Sequence, residues 1–117
     1  MPLLYRVSGT DWLPKGQGLE IEEVVEFAKL LKKEGVDLLD VSSGGNHSEQ
    51  TIPSAPGFQV PLAAAVKKGV PGLAVGTVGL ITNGRQANKV HVSLRGWLTG
   101  RFLRMEMRTW FLRRESF

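Results

Sequence analysis

Few side chains in this sequence can do chemistry, and several of them cluster where an apolar run breaks off. Residues 36–45, VDLLDVSSGG, read as a short strand that opens into two hydroxyls and two glycines. A strand that only fills a core can end in any turn. Small polar residues at its carboxyl end leave space, so Ser42, Ser43, Gly44 and Gly45 mark room for a bound group rather than a catalytic atom. Asp37 and Asp40 differ by an odd number along the strand, face opposite ways and make a poor acid–base dyad. His47 stands alone in a polar loop and reads as a solvated surface residue. The Lys32-Lys33 and Lys67-Lys68 pairs read as solvated helix ends. Arg6 lies near the end of an apolar run, where the plainest reading is an ion pair with a loop acid such as Asp11. The chain has no cysteine, which excludes disulfides, thiolate metal sites and a cysteine nucleophile.

The elements that must position these residues follow from periodicity. Residues 3–8 form a short apolar run followed by the turn formers Gly9-Thr10-Asp11, which predicts a strand. Ile21, Val24, Val25, Ala28 and Leu31 fall at helical spacing, with Phe27 and Leu30 widening the stripe. Glu20, Glu22 and Glu23 at one end and Lys32 and Lys33 at the other suit the helix dipole, and Gly35 stops the helix. Residues 36–41 are the second strand, and 60–68 are a short helix that tolerates Pro61 in its first turn. Residues 72–81, GLAVGTVGLI, carry the pattern of a parallel strand buried on both faces. A further helix begins near Asn83–Gly84 and continues through Val90. The order β-α-β-α-β-α with right-handed crossovers predicts a parallel sheet of an α/β fold.

Charge divides the chain at the same point. Of its 117 residues, 1–90 balance their Lys/Arg against their Asp/Glu, whereas residues 91–117 hold six arginines and two acids and supply the whole net charge of +4. That tail has no lysine, no clear apolar period and more than half of the aromatics, and His91 lies within it. The expected organisation is therefore a body of residues 1–90 and an unassigned basic tail of residues 91–117. No apolar run is long enough to cross a bilayer, and the start Met1-Pro2-Leu3-Leu4 lacks the layout of a signal peptide, so a soluble cytoplasmic protein is expected.

Three segments, PLLYRVSGTDW, GVDLLDVSSGG followed by PGFQVPLA, and GTVGLIT, occur together in register. In this order and spacing the chain resembles the Old Yellow Enzyme family, FMN-dependent NAD(P)H oxidoreductases with a TIM-barrel fold, over residues 2 to about 90. The resemblance implies about three of the eight βα units of a barrel, whose active site lies at the carboxyl ends of its strands. It implies that Arg6 contacts the isoalloxazine ring of FMN, where a fixed guanidinium stabilises the negative charge of the reduced flavin. It also implies that Val78 and Gly79 bring backbone N–H groups to the FMN phosphate; the alternative for Gly79 is strand–helix packing alone. Ser43 would stand at the same rim. NAD(P)H is the implied co-substrate and an activated alkene the implied acceptor, with no catalytic residue and no metal ligand assigned within this chain.

The resemblance also implies absences. The family's substrate-binding His-His or His-Asn pair, proton-donating tyrosine, glutamine, first phosphate contacts and last Gly-Arg strand have no counterpart here, so a fragment that is inactive by itself is expected. Read as codons and shifted by two bases, residues 105–115 resemble that last strand, which suggests that the chain leaves the family's reading frame near Val90. A different class of function is a small α/β module whose Arg/Trp tail contacts nucleic acid or an acidic partner; no recognised nucleic-acid motif accompanies the charge. Comparison of the transcript with its genomic locus checks the frame. A shifted frame is expected after Val90, and related coding DNA that matches in frame through 91–117 would end the idea.

Overall fold

The computed structural model describes residues 1–95 of the chain. Three strands, β1 (Leu4–Ser8), β2 (Leu38–Ser42) and β3 (Ala74–Thr77), alternate with helices α1 (Ile21–Lys33), α2 (Val60–Gly69) and α3 (Gly84–Arg95). The strands form one parallel sheet in the order β1-β2-β3. This is the expected α/β arrangement of three βα units, as an open sheet that does not close into a barrel. Helix α3 runs past Val90 to Arg95. The tail expected from residue 91 therefore begins within a helix, and residues 96–117 lie outside the described part.

Helix α1 forms where the sequence places its signals. The backbone N–H of Glu20 donates to the Glu23 carboxylate at 2.9 Å, closing the first turn. At the other end Gly35 takes φ +99°, its N–H donates to Lys32 O, and the Val36 N–H donates to Leu31 O. That pair of bonds is a Schellman turn, which needs a left-handed residue and is easiest with glycine. Val24 and Ala28 are buried, while Ile21, Val25 and Leu31 pack at the edge of the core. Phe27 and Leu30 belong to the same stripe but remain exposed, with Phe27 meeting the Tyr5 ring edge-on at 5.9 Å.

The core lies on one face of the sheet. Leu39 and Val41 of β2 and Val75 and Thr77 of β3 are buried against Val24, Ala28, Leu62, Ala63 and Val66 of the helices. Leu38, Asp40, Ser42, Ala74 and Gly76 alternate with them and are only half-buried on the opposite face. The expectation that residues 72–81 form a strand buried on both faces is thus corrected. The strand ends at Thr77, and only its helix-facing side is covered. It ends because Gly79 and Leu80 both adopt positive φ, +104° and +51°, which no ladder can continue.

Lys67 corrects a second expectation. It is no solvated helix end: only 3% of its surface is exposed, and its Nζ donates to the carbonyls of Pro71 and Leu73, each at 2.6 Å. The ammonium thus holds the α2–β3 connection against the helix. Burial, and secondarily the charge of Lys32, keep the Lys67 pKa below its ordinary 10.5. Between that lowered value and 10.5 the unfolded chain binds a proton that the folded chain has lost, so stability should rise with pH in this window. Denaturant midpoints of the chain and of Lys67→Met, followed through alkaline pH, should show this increment in the parent alone; parallel curves would refute it.

Candidate functional site

Parallel pairing brings the segments that leave β1, β2 and β3 to one edge of the sheet, and a chain of hydrogen bonds joins them there. The indole Nε1–H of Trp12, beyond β1, donates to Ser43 Oγ at 2.7 Å. Ser43, directly after β2, donates its hydroxyl proton to Gln59 Oε1 at 2.7 Å. The Gln59 amide nitrogen donates in turn to the carbonyl of Val78, just beyond β3. A carbonyl only accepts, so the bond to Val78 O turns the Gln59 nitrogen toward β3 and leaves its oxygen to accept from Ser43. Gln59 is 4% exposed, and burying a glutamine without partners would cost about 1–3 kcal/mol. Here both ends of its amide are satisfied.

Glycines make this close approach possible. A Cβ on Gly79 would stand 2.5 Å from Gln59 Nε2 and 2.9 Å from the Phe58 ring, and one on Gly44 would meet Ile52 Cδ1 at 2.6 Å. Trp12 lies obliquely against Phe58, with ring centres 6.5 Å apart. Beyond Gly79, the Leu80 carbonyl accepts from Gln86 Nε2 at 2.9 Å and the Thr82 N–H donates to Gln86 Oε1. Asn83 caps α3 by accepting from the Gln86 N–H. Among the described residues the N–H groups of Gly79 and Leu80 have no acceptor.

Arg6 is the third of five residues in β1 and lies in register with Asp40 of β2, itself paired with Gly76 of β3. Its guanidinium donates from Nε to Asp40 Oδ2 at 2.7 Å, and its Nη2 lies 2.5 Å from the same oxygen. Tyr5 faces Phe27 of α1, and Asp40 alternates with buried Leu39 and Val41, so Arg6 stands on the opposite face, which carries no helix among the described residues. Gly76 leaves room beside the pair, since a Cβ there would be 3.3 Å from Asp40 Oδ1. The expected loop partner, Asp11, is not the one used: its carboxylate accepts from the Leu19 N–H at 2.6 Å and shapes the β1–α1 loop. With the Arg6 side chain 55% exposed, the ion pair is worth about 0.2–1 kcal/mol and orients the arginine more than it stabilises the fold.

The structure therefore gathers Ser43, Val78 and Gly79 on one rim and places Arg6 on the open face of the same sheet. Asp37 and Asp40 form no dyad, Asp37 lying before β2 and accepting from the Leu3 N–H. His47 is exposed, and its Nδ1 accepts only from the Glu49 N–H. Sequence reasoning missed Trp12, Gln59 and Asp40 as site residues. Trp12 and Gln59 lie inside the quoted segments, but nothing in their spacing reveals that Ser43 joins them. Alanine at Gly79 should cost about 1–3 kcal/mol, since a disfavoured φ is aggravated by contact with Gln59. Alanine at Gly45, whose φ is +85° with open space around it, should cost less. Urea midpoints of the two variants check this; equal losses would show that the Gly79 contact carries no weight.

No family model matches the chain. Individual relatives do. It is 44% identical over 89 residues to an NADPH dehydrogenase of Listeria innocua, 45% identical over 89 residues to one of Bacillus pumilus and 41% identical over 93 residues to one of Geobacillus sp.. Each match covers 76% of this chain and 25% of the relative, so the chain spans about a quarter of the length of these dehydrogenases. Three parallel βα units and the three motifs agree with that match: over its matched part the chain is similar to a quarter of these NADPH dehydrogenases, consistent with a fragment of an Old Yellow Enzyme family member.

Proposed function

We propose that this chain supplies one arc of the flavin site of an FMN-dependent NAD(P)H oxidoreductase of the ene-reductase type, acting on an activated alkene. The observation that carries the reading is the placement of Arg6 on the helix-free face of a sheet whose exit loops meet at one rim. FMN, when bound, would accept hydride from NAD(P)H and pass it to the alkene. The residues present fit such a group. Arg6 offers a half-exposed guanidinium aimed by Asp40, and it retains N–H donors for a carbonyl edge that gains negative charge on reduction. Gly79 lets the chain turn closely enough to present backbone N–H groups to a phosphate, with the first turn of α3 nearby. Ser43 holds the β2 exit loop by hydrogen bonds and takes no part in proton transfer.

A quarter of the length of the relatives leaves most contacts of a flavin to be made elsewhere, and each lost charge-assisted hydrogen bond weakens binding by about 1.5–3 kcal/mol. The 117-residue chain alone is accordingly proposed to bind FMN weakly and to turn nothing over. Residues 91–117 are proposed to contribute nothing to the site. The alternative reading of a basic tail on nucleic acid rests on residues that lie mostly outside the described part.

Grafting tests the reading. The matched segment of the Bacillus pumilus NADPH dehydrogenase is replaced by residues 1–90 of this chain, and NADPH oxidation and flavin absorbance are measured. A yellow protein that oxidises NADPH is expected, with both properties lost when the segment is deleted. A folded but colourless graft would contradict the proposal.

A further inference from the structure

We infer that Gln59 is a positioning residue, a clamp that sets the turn at Val78–Leu80 so that its free N–H groups stand toward the rim. Gln59 immediately precedes α2, where a side chain ordinarily caps the helix, yet it makes no capping bond. Its amide instead spans two neighbouring loops, accepting from Ser43 and donating to Val78 O, while its nitrogen fills the space a side chain at residue 79 would need. The Val78 carbonyl is thereby turned inward to Gln59. Gly79 and Leu80 must then take successive positive φ angles, and Gln86 secures the far side of the same turn through Leu80 O and the Thr82 N–H.

A connection between a strand and a helix does not need two glutamines to hold it. Such bracing suits a turn that receives an oxyanion, because N–H groups bind best when they are fixed in place beforehand. The ligand assigned to the turn, a phosphomonoester, rests on the flavin reading; the clamp itself rests on the hydrogen bonds.

The test separates the two. In the full 117-residue chain, 15N relaxation should give Gly79 and Leu80 order parameters in the rigid range of about 0.85. In Gln59→Met, which keeps the volume and loses both bonds, they should fall below about 0.6, with Leu39 and Val75 unchanged. Ser43→Ala, which leaves the bond to Val78, should soften the turn less. Should Gln59→Met fail to fold, the parent chain decides: the side-chain amide protons of Gln59 should exchange at least ~10-fold more slowly than those of exposed Gln17, as expected of a buried, bonded amide. A turn that stays rigid in Gln59→Met, or an unprotected Gln59 amide, overturns the inference. In the grafted dehydrogenase, Gln59→Met should weaken FMN binding by roughly tenfold, the worth of about one hydrogen bond. Unchanged affinity in a graft that binds FMN overturns the positioning role. A parent graft that binds no flavin overturns the flavin reading, and the relaxation result still decides the clamp.

Discussion

Parallel strand pairing is the constraint on which the rest of this structure depends. A parallel ladder requires each strand to be followed by a crossover that returns the chain to the starting end. All strand exits therefore lie on one edge and all helix exits on the other. In this chain that joins Trp12, Ser43 and Val78, far apart in sequence, in one chain of hydrogen bonds that passes through Gln59. The same geometry puts Arg6, Asp40 and Gly76 side by side across the open face. The site thus follows from strand direction and register before any side chain is considered.

The two faces of the sheet carry different loads. On the helix side lies the buried apolar core, and one polar atom there, Thr77 Oγ1, has no partner among the described residues. On the other side the sheet presents an ion pair, small residues and half-buried apolar groups. Strand β1 is an edge, and Leu3, Leu4, Tyr5, Phe27 and Leu30 beside it are exposed. An unpaired edge flanked by apolar side chains is a surface that natural folds usually cover. This agrees with a chain that spans a quarter of its relatives, each of which has more polypeptide than this sheet contains.

The elements were legible because their signals are local. The Glu20–Glu23 start and Gly35 stop of α1, the βα alternation and a second strand near residues 36–41, found at Leu38–Ser42, could all be read from residue types. What was misread depends on contacts. The apolar run through residue 81 suggested a longer strand, but positive φ at Gly79 and Leu80 ends it early. Lys67 looked like a surface lysine because it stands beside Lys68 at a helix end, and only the returning loop supplies the carbonyls that hold its ammonium. The Arg6 partner was sought in the next loop, whereas strand register delivered Asp40 from 34 residues away. The resemblance located Arg6, Ser43, Val78 and Gly79; Gln59, which ties two of those segments together, carries no signature in one dimension.

The proposed contact of Arg6 with a flavin on the open side of this sheet is tested by the reduction potential of that flavin. In the grafted dehydrogenase, replacing Arg6 by methionine removes the positive charge beside the edge that becomes anionic on reduction. The account predicts a fall in the two-electron midpoint potential of ~30 mV or more, equivalent to about 1.4 kcal/mol. A potential unchanged by the substitution, with flavin still bound, would contradict it.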